Sequence, residues 1–333
     1  MIKALYVHIP FSSHICGVSN DTFLKYDFFL RKKYIERLIT QISDMKEKPS
    51  IVYIGSGSIT RLEPELIEKL LASFTDWKLK EFSIECNPHD LKDEHIQLFK
   101  KYSVNRIVLG VQKEKHLKLD DYYEFNEAVN TLKKYRFENI ALDIPMALAD
   151  QSLDHFETLL KQVLTLDPSH LTLYGEGDDP AFYETAKRLI KKTPLKQYET
   201  ANFAKEDSIS QYNRIFFDYD DYYAVGVGSN YMVNQTRYTW TDDLEIYLKE
   251  DVYQDVEYLS EAESIFEHIM MGLSLRDGIS LSDFEKKHQK KLLDVYQEAI
   301  TASIAYLEIT PTHIKLKYDR EEMLDTVLLN FME

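Results

Sequence analysis

Hydrophobic residues gather into short runs at regular intervals along the chain: 4–9, 51–54, 81–85, 106–111, 139–146 and 170–174. Runs of this length, bounded by turn formers, read as strands buried on both faces. Between them the apolar residues recur at helical spacing, over 26–45, 91–102, 124–135 and 153–164. The clearest stripe is Leu66, Ile67, Leu70, Leu71 and Phe74. Thr60 and Glu63 form a capping-box pattern ahead of that stripe, with Pro64 in its first turn. Strand and helix alternate six times at intervals of about 30 residues, which predicts a parallel sheet with helical crossovers. From about residue 251 the pattern changes. Ile265, Ile269, Leu273 and Leu275 make one apolar face, helices follow over 281–288 and 292–305, a small β wing over 307–309 and 313–316, and a last helix over 323–331. The expected division is therefore 1–250 and 251–333.

Composition narrows the function classes. The 333 residues carry 40 basic and 56 acidic side chains, a formal net charge of −16. That field repels phosphate backbones and anionic membrane surfaces, so nucleic acid is not an expected partner. Lys286, Lys287, Lys290 and Lys291 read as a solvated helix face. No apolar run reaches membrane-spanning length, no secretory leader is read at the start, and two cysteines make no disulfide framework; a cytoplasmic protein is expected. Ten glycines in 333 residues is about 3%, against roughly 7% in average usage, so loops that cradle phosphates or adenosyl groups have been thinned.

The candidate chemistry lies after the first strand, in LYVHIPFSSHICGVSN. Pro10 blocks continuation of that strand, so 10–20 forms a loop at its C-terminal end, where α/β sheets hold their ligands. The stretch resembles the start of the oxygen-independent coproporphyrinogen III oxidase family of radical S-adenosylmethionine (SAM) proteins and of its haem-chaperone branch, which place three cysteines at CxxxCxxC spacing. The matching positions here are Ser12, Cys16 and Ser19. Further segments resemble the same family in order. Gly55-Ser56-Gly57-Ser58 stands for a GGGTP loop, EFSIECNP with Glu85 for "E..IE.NP", and the strand ending at Gln112 for "RiSlGvQS". NIALDIPMALADQ keeps Asn139 and Asp143 but carries Ala147 and Ala149 for a glycine and a proline. DYYAVGVGSNY and MMGLSLRDGIS match two later motifs.

The resemblance implies an α/β fold, an open (β/α)6 partial TIM barrel of radical-SAM type, with a small winged-helix-like α+β domain at the C-terminus. It also implies an iron-sulfur cluster, SAM and haem as cofactors. It puts SAM near Gly55, Gly57 and Glu85, makes Gln112 and Asp143 cofactor-binding as well, and puts haem near Tyr212 and Asn213, which stand in the family's HNxxYW segment. A pocket lined by Glu85, Gln112, Asp143, Tyr174 and Tyr212 is expected. The departures fall on the cofactor positions: Ser12, Ser19, Ser56, Asp121-Tyr122, Ala149 and Tyr212. A cluster is held by soft thiolates, and a serine hydroxyl stays neutral and hard at cellular pH. Cys16 alone fixes no cluster, so the expected protein is a cluster-free, catalytically silent relative of the haem chaperones. It would bind haem or a porphyrin-like molecule and hand it to a protein partner. Two other readings stand beside it: an active radical SAM protein with atypical ligands such as Cys16, Cys86 and His14, and a scaffold acting only through protein partners.

Overall fold

The computed structural model describes residues 1–11, 28–110, 120–148, 151–175, 179–318 and 320–332. Its strands are β1 (Ala4–Ile9), β2 (Ile51–Ser56), β3 (Glu81–Cys86), β4 (Arg106–Gly110), β5 (Ile140–Met146), β6 (His170–Gly175), β7 (Lys196–Gln197), β8 (Asn202–Ala204), β9 (Tyr222–Val225), β10 (Asn230–Val233), β11 (Thr236–Trp240), β12 (Tyr253–Tyr258), β13 (Ile279–Ser280), β14 (Leu307–Ile309) and β15 (His313–Leu316). The helices are α1 (Phe28–Asp44), α2 (Pro64–Ala72), α3 (Asp93–Lys101), α4 (Asp120–Lys134), α5 (Leu153–Thr165), α6 (Pro180–Ile190), α7 (Gln211–Phe217), α8 (Leu244–Tyr247), α9 (Glu261–Ser274), α10 (Leu281–His288), α11 (Leu292–Val295), α12 (Gln297–Ser303) and α13 (Leu324–Phe331).

Strands β1 to β6 pair in parallel and in sequence order, as the six expected units. The sheet continues beyond them. β9 adds a seventh parallel strand beside β1, the antiparallel strands β10, β11 and β12 extend that side, and β8 and β7 extend the other. The strands do not close on themselves, so the barrel is open. A second sheet, β13-β15-β14, belongs to the C-terminal region with α9 to α13. Its apolar residues, from Ile265 to Phe331, form a cluster of their own.

Register explains how one sheet serves two environments. Tyr6 lies opposite Tyr53, Tyr53 opposite Ser83, Ser83 opposite Arg106, Gly110 opposite Asp143, and Asp143 opposite Thr172. These residues share the concave face, while the intervening Val7, Ile54, Ile84, Leu109, Leu142 and Leu171 are fully buried against the helices. Each such side chain contributes about 1.5–3 kcal/mol of burial. Polar residues at every second strand position are thus the barrel's inner wall.

Two local expectations are corrected. Thr60 and Glu63 make no capping box: Thr60 sits in a 3-10 turn with its hydroxyl 2.6 Å from that of Ser58, and Glu63 accepts from Arg31 at 2.6 Å. The apolar stretch 292–305 is two helices, α11 and α12, separated at Tyr296.

Candidate functional site

The C-terminal ends of β1 and β2 are fastened together. The Gly57 amide donates to the Ile9 carbonyl at 2.7 Å and the Ser58 amide to the Phe11 carbonyl at 3.2 Å. A Cβ on Gly57 would lie 2.4 Å from the Ile9 oxygen, so glycine here permits the close approach of two backbones. Beside it the Ser56 amide donates to Glu85 Oε2 at 3.3 Å, and the Tyr53 hydroxyl donates to the same oxygen at 3.3 Å. Above Gly55 the space is already taken: a Cβ there would lie 2.4 Å from the Tyr53 ring and 2.8 Å from Glu85 Oε2. The loop's amides at 56, 57 and 58 therefore all serve internal bonds.

Glycines have left this loop while its backbone has kept their shape. Ser56 has φ of 84° and Ala147, at the end of β5, φ of 54°. The left-handed region costs a side-chain-bearing residue about 1–2 kcal/mol, of which glycine's greater unfolded-state freedom returns up to about 1 kcal/mol. Ser56→Gly and Ala147→Gly are each expected to stabilise the protein by about 0.5–1 kcal/mol, together raising the melting temperature by roughly 2–5 °C. A thermal melt followed by circular dichroism checks this.

Asp143 lies on the same wall, one strand from Gly110. Burial pushes its carboxyl up to about 6, against the lowering pull of Thr172 and of Arg106. The Thr172 hydroxyl also donates to Asn202 Oδ1 at 2.8 Å. Between about pH 4 and pH 6 the folded chain holds a proton that the unfolded chain releases, so stability falls as pH rises through that window and levels off above it. Asp143→Asn is expected to flatten that slope in urea titrations, while Glu199 and Asp218, also raised by burial, keep their own share of it. After discounting the part of the side chain that stays wet, the variant gains about 2 kcal/mol at pH 7.

The segment that carries Tyr212 and Asn213 begins α7 beneath this wall. Glu81 fixes the start of α7 by accepting from the amides of Gln211 at 2.8 Å and Tyr212 at 3.2 Å. Tyr212 is 7% exposed. Its ring stacks on Tyr53 at 4.6 Å and Tyr6 at 6.0 Å and meets Phe216 edge-on at 5.1 Å. Burial first, then Tyr222 and Glu85, hold its phenol well above the ordinary tyrosine range. That is the neutral form, and a phenolate ligand to iron is not what this setting favours. Asn213 donates to the Tyr198 hydroxyl at 3.3 Å, which in turn meets His170 Nε2 at 2.9 Å. The structure thus brings Gly55, Gly57, Glu85, Asp143 and Tyr212 onto or against one concave wall and puts Asn213 in the network under it. Tyr174 lies on the same wall at the end of β6.

Ser12, His14, Cys16, Ser19, Gln112 and Ala149 lie outside the described residues, as do the side chain of Asp121 and its surroundings. Cys86 lies within them, and it points the wrong way for a cluster at the strand ends. It alternates with Phe82 and Ile84 on the helix-facing side of β3, is 1% exposed, and burial pushes its thiol far above the ordinary range. The ligand set Cys16, Cys86 and His14 is not compatible with that placement. Among the described residues, no group of three histidine, cysteine or acidic side chains could hold a metal ion.

Arg106 is the wall residue that sequence reasoning passed over. It is 2% exposed, donates through Nη1 to Asn139 Oδ1 at 2.9 Å, and leaves Nε without a partner. An arginine at the first position of an otherwise apolar strand, at the period of the inner face, was the available signal.

Comparison with known proteins agrees with this architecture. The HemN C-terminal domain family matches residues 259–317. The haem chaperone HemW of Lactococcus lactis subsp. lactis is 29% identical, aligning 91% of this chain with 89% of its own length. HemW of Bacillus subtilis is 27% identical over 87% and 88%. Among solved structures, coproporphyrinogen III oxidase (HemN) from Escherichia coli, a radical SAM enzyme, superposes with a TM-score of 0.79 at 16% identity, covering 99% of this chain and 90% of its own. No described helix is long and apolar enough to cross a membrane. With the order of motifs, the open parallel sheet and the C-terminal domain in agreement, the chain belongs to the oxygen-independent coproporphyrinogen III oxidase-like radical SAM family, in its HemW branch, with Ser12 and Ser19 where that family carries cluster cysteines.

Proposed function

We propose that this protein is a cluster-free, catalytically silent member of the HemW branch, a cytoplasmic carrier that binds haem or a related tetrapyrrole and passes it to a protein partner without radical chemistry. One observation carries the reading: the whole chain has two cysteines, and the thiol of Cys86 is sealed in the core on the helix side of β3. A single remaining thiolate, Cys16, is too few to hold a cluster of the kind that delivers an electron to SAM. The Glu85 bonds to Ser56 and Tyr53 support the same reading, because the loop that would meet SAM satisfies itself. Tyr212, with its ring between Tyr53 and Phe216, serves here as a wall of the barrel rather than as an iron ligand.

The test is iron and acid-labile sulfide after anaerobic reconstitution, with an absorbance spectrum. No stoichiometric iron is expected. About four irons per chain, with the broad absorbance of a thiolate-held cluster, would overturn the cluster-free reading. A haem titration tests the carrier role separately: a saturable Soret band that survives Tyr212→Phe is expected. The absence of any saturable band would leave a scaffold that works through protein contacts alone.

A further inference from the structure

On the far side of the sheet from the candidate site lies a cavity of about 410 Å³ where the end of α1 meets β9, β11 and β12. Its walls are aromatic. Trp240 and Tyr253 pack with ring centroids 4.5 Å apart, and Tyr223 completes the lining. These rings are held in place. The Trp240 indole donates to the Ala224 carbonyl at 2.8 Å, the Tyr253 and Tyr231 hydroxyls are 2.8 Å apart, and Tyr231 packs on Tyr223 at 4.4 Å. The faces of such rings carry negative π-density.

The rim has the same sign for an independent reason. Helix α1 ends at Asp44 with no basic residue in its last turn, so the negative end of its dipole and an acidic side chain coincide. Glu47 and Asp251 line the cavity as well, with Lys46 as the lining cation. Asp251 is positioned by Arg37 and by Gln41 Nε2 at 3.3 Å. Glu47 accepts from the Ile2 amide at 3.1 Å. Within the helix an acid in the last turn is unfavourable.

We infer that this cavity is a binding site for an organic cation, an alkylammonium or guanidinium group, held between the Trp240, Tyr223 and Tyr253 rings and the Asp44, Glu47 and Asp251 carboxylates. Such a group arrives either as a free amine or as a lysine or arginine side chain of another protein. An aromatic face and a nearby carboxylate each strengthen binding of such a cation by about fivefold to tenfold.

The chain supplies its own probe, since its two tryptophans are Trp77 and Trp240. In a Trp77→Phe background the remaining emission reports on the cavity wall. Titration with N-acetyl-arginine methylamide and with butylammonium is expected to change that emission saturably, more weakly at high salt. The neutral citrulline analogue is expected to have no effect. Asp44→Asn with Glu47→Gln, both exposed positions, should weaken binding about tenfold or more while leaving the circular dichroism spectrum unchanged. A short peptide carrying one arginine that binds clearly tighter than the single residue assigns the site to a protein side chain; equal affinity assigns it to a free amine. No saturable change with either cation, or an equal response to citrulline, would overturn the inference.

Discussion

Restoring two thiols, Ser12→Cys together with Ser19→Cys, is expected to give a brown protein that takes up about four irons per chain on anaerobic reconstitution. The change rebuilds CxxxCxxC around Cys16 in the sequence, and the strand that leads into it is already fixed: β1 is paired on both sides, by β2 and β9, and its end is clasped by the Gly57 and Ser58 amides. A thiolate forms from a group with pKa near 8.5, whereas a serine hydroxyl does not ionise in this range, so the gain comes from ligand chemistry and not from a new fold. Adding Cys16→Ser to the double variant should remove the iron again. Iron analysis and the visible spectrum decide. If the double variant stays colourless while remaining folded, loss of the cysteines is not what stripped the cluster from this chain. If the natural sequence already binds stoichiometric iron, the cluster-free reading fails at once.

The fold was largely legible because its signals are local and repeated. Six apolar runs with helical stripes between them specify a parallel sheet whatever the chemistry of its loops, and β1 to β6 fall where those runs lie. The additional strands were less visible because β7 and β8 are two and three residues long and β12 is largely exposed, with Asp255 and Glu257 on it. Short or polar strands owe their pairing to the sheet they join more than to their own pattern. The site was legible in its residues and not in its contacts. Motif positions identified Glu85, Asp143 and Tyr212, but no spacing rule says that the Tyr212 ring stacks on Tyr53 or that Glu85 is engaged by Ser56. Nor does sequence show that Ser56 and Ala147 keep positive φ after the glycines are gone. That retention is what a scaffold preserved under new side chains looks like, because the backbone path is fixed by the strands on either side.

Gly226→Ala is expected to cost about 4 kcal/mol and lower the melting temperature by roughly 6 °C, whereas Gly110→Ala changes stability by less than about 1 kcal/mol. Both glycines belong to segments that resemble family motifs, and the sequence gives no reason to separate them. Their surroundings do. Gly226 follows β9 at φ of 121°, a conformation closed to residues with a side chain. A Cβ there would lie 2.6 Å from His8 Cβ and 2.8 Å from the Tyr34 hydroxyl. Neither neighbour can retreat cheaply. The Tyr34 hydroxyl donates to the His8 carbonyl at 3.0 Å and accepts from the Val227 amide at 3.1 Å, so it ties α1, β1 and the end of β9 together inside a fully buried site. Moving the ring sacrifices both bonds, and moving β1 displaces the strand that carries the first loop. At Gly110 the nearest atom to an added Cβ is Asp143 Cβ at 3.7 Å, an ordinary contact on the open concave wall. Thermal melts of the two variants side by side test the distinction. Equal losses would mean that the concave wall is packed as tightly as the clasp at Tyr34, and that the wall has no room for a ligand.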